Sequence, residues 1–292
     1  MLKPNTFIKT TATALAACML MACGGEDSNN EGKDSDNDTQ YTLSLESEKT
    51  GVVGKSIYTI NVTDKDGLAV YGETPTLKPM MAMSADMGGH HHSSPHAGCT
   101  ETDDQGNSDC TVYFSMASAT GDEVMGTWTI NIDLDDAEPL SFVPAVTMPM
   151  AETVKVNLKG VDDKIGETSR IYNIFNNSVM TSNGSRTIEL FISSKENMMN
   201  FPALQTSSTL SAGSEDELSV NSIEVLVSTD KEAKTWTTAT PNGKGVWTAD
   251  IENYIDVFYV QLSVNSEVKV SSREGYATFS KQPGMMKDMA DK

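Results

Sequence analysis

"IYTINVTDKDGLAV", Ile57 to Val70, decides the fold. Tyr58, Ile60 and Val62 alternate with Thr59, Asn61 and Thr63, a side-chain period of two that gives a strand one apolar face. "DKDG" (Asp64 to Gly67) then supplies an Asp-Gly turn signal. Leu68 and Val70 resume the alternation, so the stretch reads as a β-hairpin. The same period recurs at Val112, Phe114 and Met116, and at Trp128, Ile130, Ile132 and Leu134. Beyond the acidic turn "GVDDKIGE" (Gly160 to Glu167) a second set follows: Ile188, Leu190 and Ile192; Ile223, Val225 and Val227; Phe258, Val260, Leu262 and Val264. No helical period stands out past the first two dozen residues. The expected fold is all-β, with two immunoglobulin-like β-sandwiches at residues 41–158 and 159–282 and a Met-containing tail at 283–292.

The N-terminus places the chain. Lys3 and Lys9 precede an apolar stretch from Thr10 to Ala22, too short to span a bilayer and of the length of a secretory h-region. It ends in "LMAC", Leu20 to Cys23, which resembles the lipobox of bacterial lipoproteins. An earlier "LAAC" ends at Cys18 but leaves a shorter apolar run, so residues 1–22 read as signal and Cys23 as the lipidated residue. Gly24 follows the cysteine where inner-membrane retention in that family usually has Asp, and the resemblance therefore implies the outer membrane, with the domains facing the periplasm or the surface. Gly24 to Gln40, "GGEDSNNEGKDSDNDTQ", holds no apolar residue to offset its ordering entropy. Residues 23–40 are expected to form a disordered tether reaching roughly 20–25 Å as a flexible coil.

Net charge is −20, from 21 Lys and Arg against 41 Asp and Glu. Phosphate contact needs clustered cations, so nucleic acid is disfavoured as a partner and the only expected membrane contact is the lipid anchor. Once Cys18 leaves with the signal and Cys23 carries lipid, Cys99 and Cys110 remain. In an oxidising compartment they read as a disulfide closing the polar loop "TETDDQGNSD"; thiolate metal ligands are the alternative.

The segment "MMAMSADMGGHHHSSPH", residues 80 to 96, holds four of the 17 methionines and all four histidines. A nucleophile system needs a rigidly held imidazole with an orienting carboxylate, and these histidines sit in one Gly- and Ser-flanked run, so no enzyme is expected. Soft thioether beside imidazole suits Cu(I); imidazole alone suits zinc nearly as well. Each residue also has a plainer reading. Met81 and Met83 share a strand face, and core filling accounts for them as well as ligation does. Met116 is in phase with Val112 and Phe114 and reads as core, Met125 is out of phase with Trp128, and the plainer reading of His90, His91 and His92 beside two glycines is a bare surface loop.

The order of "DKDGLAV", "PTLKPMMAMSADMGGHHH", "YFSMAS" and "MGTWTINIDL" resembles the YtkA-like domain family, which includes FixH-like envelope proteins, over roughly Gly51 to Leu134. The resemblance implies an immunoglobulin-like periplasmic domain associated with copper handling. It carries metal-ligand positions onto Met81, Met83, Met87 and His90, and onto Met125 before the Gly-x-Trp strand. His91, His92, His96 and the cysteine-closed loop depart from the family pattern; the three added histidines are expected, with His90, to supply imidazole to the same metal. Within the second half, "NMMNFPAL" (Asn197 to Leu204) and "GVWTADI" (Gly245 to Ile251) echo "KPMMAM" and "GTWTINI" in the same order, as a diverged duplication would. Two functions follow: an envelope lipoprotein that carries or buffers Cu(I), with zinc as the alternative metal and a copper-delivery or envelope protein as partner, or a structural, partner-binding lipoprotein with no metal role.

Overall fold

The computed structural model describes residues 40–149, 153–177, 179–180, 186–230, 232, 235–251, 257–272 and 274–280. The expected signal, Cys23, the tether up to Thr39 and the tail 283–292 lie outside them. Among the described residues the regular elements are strands, apart from one three-residue 3-10 turn at Ala85–Met87. No helix among them is long and apolar enough to cross a membrane.

Two sandwiches account for nearly all the strands. In the first, one four-stranded sheet runs in the order Tyr41–Leu45, Gly54–Asp64, Asn107–Phe114, His96–Cys99, and faces a second in the order Leu140–Phe142, Gly126–Asp133, Thr76–Met83, His91–Ser93. The alternating residues meet as read: Tyr58, Ile60, Val112 and Phe114 from one sheet pack on Met81, Trp128, Ile130 and Ile132 from the other. Edge-on ring pairs tie the sheets, Tyr58 to Phe142 and Phe114 to Trp128, each at 5.0 Å. The second sandwich sets a six-stranded sheet, built on Lys155–Ile165, Thr168–Asn176, Arg186–Lys195 and Val246–Ile251, against a five-stranded one built on Ile223–Ser228 and Val257–Val264. Its core includes Tyr172, Ile188, Leu190, Ile192, Val225, Val227, Phe258, Val260 and Leu262.

Three details differ from the expectation. The hairpin turn forms, with the Asp64 carboxylate accepting from the Asp66 and Leu68 amides, each at 2.9 Å. Its return arm is a single bridge between Thr63 and Ala69, and Leu68 is 65% exposed, because no second strand covers that arm. The "GVDD" stretch is part of a long bulged strand, its register shifting between Lys159 and Lys164, which turns Asp163 inward to a buried position. That strand starts at Lys155 and already places Leu158 in the second core, so it runs through the expected 158/159 boundary.

Cys99 and Cys110 face one another across adjacent strands and form a disulfide, with Cα atoms 3.9 Å apart. The loop between them is turned by Asp103, whose carboxylate accepts from the Gln105 and Asn107 amides. A local role in the turn accounts for that acidic residue.

The two sandwiches meet on sheet faces that the alternation pointed away from each core. Tyr113 from the first stacks on Phe191 from the second at 3.7 Å and 4°, and Phe175 packs beside both. Lys55 pairs with Glu189 at 2.9 Å across the same junction. Strands buried on two faces lose the polar half of their alternation, which is why "IYNIF" and "IELFI" read as nearly continuous apolar runs.

Candidate metal centre

The Met/His segment is one strand, a tight turn and a returning strand. Thr76–Met83 pairs with Gly126–Asp133 on one side and His91–Ser93 on the other. Gly126 makes the first pairing possible at the methionine end: a Cβ there would lie 2.5 Å from the Ala82 carbonyl and 2.8 Å from the Met81 methyl. The Gly-x-Trp motif thus has a packing cause. After Met83, the Ala85–Met87 turn and Gly88, at φ 93°, reverse the chain so that the Met83 amide bonds the His90 carbonyl at 2.9 Å. His91–Ser93 is then clamped from both sides, with the Ser93 hydroxyl donating to the Pro79 carbonyl at 2.7 Å and the Ser93 amide to the Met198 carbonyl of the second sandwich at 2.8 Å.

This fixes His92. Its ring is 6% exposed and meets the edge of Trp128 at 5.3 Å. Nδ1 lies 3.0 Å from the Ser93 carbonyl, which can only accept, so Nδ1 carries a proton and Nε2 is the ring nitrogen left to face the cavity. Nε2 faces the Met116 sulfur at 3.2 Å. Nitrogen and sulfur ligands of one tetrahedral ion, at zinc-like bond lengths of about 2.0 and 2.3 Å, sit roughly 3.5 Å apart. The pair is therefore spaced almost as two ligands of a common ion. The hydrogen bond behind the imidazole is the support that metal-ligating histidines ordinarily have.

His92 and Met116 border a cavity of about 300 Å³ where the sandwiches meet. Met83, Met87 and His90 line it from the first sandwich, and Met198, Lys155, Lys195, Asn157 and Asn173 from the second. Met87 and Met198 stay 36% and 48% exposed, so the donors range from a buried pair to a solvent-facing rim. Burial, and after it the like charge of Lys195, pulls the Lys155 ammonium down to about 8. Among the described residues no three His, Cys, Asp or Glu side chains converge. What converges is thioether with imidazole.

The remaining expected residues are placed elsewhere. Met81 is fully buried in the first core and lies outside the cavity. His91 is exposed opposite Ala82. Met125 packs partly on the core and lines a neighbouring cleft. His96 sits half-buried in the strand His96–Cys99, its Nδ1 without a hydrogen-bond partner among the described residues. Met116 and Met198 are the donors that sequence reasoning did not select. Met116 lies beyond the end of the strand Asn107–Phe114, where it packs partly on the core as its phase indicated and also lines the cavity. Met198 belongs to the "NMMN" echo, whose methionine reaches the first sandwich's site.

No family model matches the chain, and no curated protein does. Solved structures similar to it include FdeC, a broadly conserved Escherichia coli adhesin, at 12% identity and TM-score 0.25 over 78% of this chain and 93% of that one. The Yersinia pseudotuberculosis adhesin InvE is similar at 10% identity and TM-score 0.24, over 82% of this chain and 57% of that one. Domains 4–9 of the surface layer protein SbsC are similar at 12% identity and TM-score 0.24, over 82% and 30%. Similarity at this level carries nothing about a shared ligand.

His96 makes the fold sensitive to acid. Burial lowers its pKa below the usual 6.5, so the unfolded chain binds the proton more readily than the folded one. Stability is then complete above about 6.5 and declines as pH falls from there toward the lowered folded value. Urea unfolding between pH 7.5 and 5 is expected to show this decline, and His96→Phe to flatten it. An unchanged slope in the variant removes His96 from the explanation.

Proposed function

We propose that this chain is an envelope lipoprotein, anchored through Cys23 in the outer membrane, that binds Cu(I) at the cavity between its sandwiches and carries or buffers it for a partner protein. The observation that carries the reading is the His92 Nε2 to Met116 sulfur separation of 3.2 Å, backed by the Nδ1 bond to Ser93. His92 and Met116 would hold the ion, with Met83, Met87, His90 and Met198 as further donors within the same cavity.

Two features favour the monovalent ion. Thioethers are soft, uncharged donors that suit Cu(I) and serve Zn(II) poorly. The amines of Lys155 and Lys195 line the cavity, and their repulsion of a dication is twice that of a monocation at equal distance. Zinc, the alternative metal, meets both obstacles. The exposed Met87 and Met198 give a route by which an ion can be exchanged with a partner.

The test is a competition titration against a Cu(I) chelator on the full chain. His92→Ala and Met116→Leu are each expected to weaken Cu(I) binding at least tenfold, whereas Met81→Leu, a volume-conserving core change, leaves it within a factor of about two. In fractionated cells, Cys23→Ser should move chain and bound copper out of the outer-membrane fraction together. If Met116→Leu holds Cu(I) as tightly as the unaltered chain, the proposed site is lost, and a partner-binding lipoprotein without a metal becomes the better reading.

A further inference from the structure

Met125 has no part in the cavity of His92, yet its sulfur is not left without companions. Met116, Met125 and Met148 line one cleft of about 340 Å³, formed where the chain following Phe114 passes the segment following Thr147. Among the described residues its lining includes no histidine, cysteine or carboxylate; the polar lining is hydroxyl groups and Lys155. Packing explains only part of this set. Met116 and Met125 lean on the first core, but Met148 is 52% exposed and covers little of it.

We infer that Met116, Met125 and Met148 form a second soft-metal site, built of thioethers alone and sharing Met116 with the first. Three neutral sulfurs can hold a monovalent soft cation such as Cu(I) or Ag(I) and offer nothing that a hard or borderline dication prefers. They need no deprotonation, so this site keeps its ligands on acidification. The inference rests on the reading of the His92 cavity only through Met116, which lines both spaces. Methionine turns about three flexible bonds, so rotation of this one side chain can pass an ion from the imidazole-bearing cavity to the all-sulfur cleft.

The test uses the full chain and Ag(I), which does not change oxidation state during the titration. Native mass spectrometry and competition titration are expected to find two bound ions. Met125→Leu/Met148→Leu should weaken the second equivalent at least a hundredfold and leave one ion bound; His92→Ala should leave the other. In methionine-methyl NMR of the unaltered chain, the Met125 and Met148 signals should shift on adding Ag(I), a check that does not depend on any variant folding. One ion lost with His92→Ala and kept in the leucine variant, with no shift at Met125 or Met148, overturns the second site and leaves the first. One ion lost only in the leucine variant overturns the first site and keeps the second. No bound ion at all overturns both.

Discussion

Arg170→Ala is expected to cost about 3–5 kcal/mol of folding stability, the range found when one member of a buried ion pair is removed and its partners stay behind. The guanidinium is wholly buried, with Nε 2.8 Å from Asp163 and Nη1 on Glu196, whose side chains are 5% and 2% exposed. Nη2 donates to the Asp216 carbonyl at 2.6 Å. Around this pair the Tyr172 hydroxyl donates to Asp163, Ser194 and Ser211 donate to Glu196, and Lys269 reaches Asp163 at 3.2 Å. Burial, and then the bond to Asp163, pushes the Tyr172 phenol well above its ordinary range, so it stays a donor. Without Arg170, Glu196 has no ion-pair partner among the described residues and Asp163 keeps Lys269 alone of them. Arg170→Ala/Glu196→Ala should then cost less than the sum of the single changes, since each removes part of what strands the other. Urea unfolding followed by circular dichroism checks both. A single-variant loss under about 1 kcal/mol would mean that water already reaches the pair.

The contrast between this network and the core shows what could be read from the sequence. Period-two alternation at Tyr58, Ile60 and Val62, or at Ile188, Leu190 and Ile192, reports burial on one face, and those residues sit in the two cores. Alternation says nothing of the opposite face. Tyr113, Phe175 and Phe191 lie out of phase with their strands, and three large apolar side chains on the supposedly wet side were the available signal of the junction. Asp163 was hidden by the bulge, since a register shift moves a residue to the other face without a mark in composition.

The candidate site was legible as a segment and not as a set of ligands. Residues 80 to 96 held candidate donors, but position along the strands divided them: Met81 and Met83 share one face, Met81 deep in the core and Met83 at the strand's end where it also lines the cavity, and His92 alone of the triple histidine is buried. The donors completing the cavity, Met116 and Met198, come from a strand end and from the other sandwich. No local pattern brings those together; the stacking of Tyr113 on Phe191 does, because it fixes how the two sandwiches meet.

Trp128→Ala is expected to destabilise the fold by about 3–5 kcal/mol and to weaken Cu(I) binding in the same stroke. The indole is fully buried in the first core, packed edge-on against Phe114. Truncation leaves a void between sheets that the paired strands Thr76–Met83 and Gly126–Asp133 cannot collapse to fill. Trp128 also holds in place both residues at the centre of the proposed site. Its Nε1 donates to the Met116 carbonyl at 3.1 Å, and its ring lies against the His92 imidazole. Trp128→Phe separates the two effects, since phenylalanine retains much of the apolar bulk but cannot donate. That variant should lose less stability than Trp128→Ala, yet bind Cu(I) about ten- to hundredfold more weakly, the usual cost of losing a group that orients a metal ligand. Thermal melting in the absence of copper, read beside the chelator titration, distinguishes the outcomes. If affinity in Trp128→Phe is unchanged, the indole serves the core alone and Met116 needs no orientation to bind.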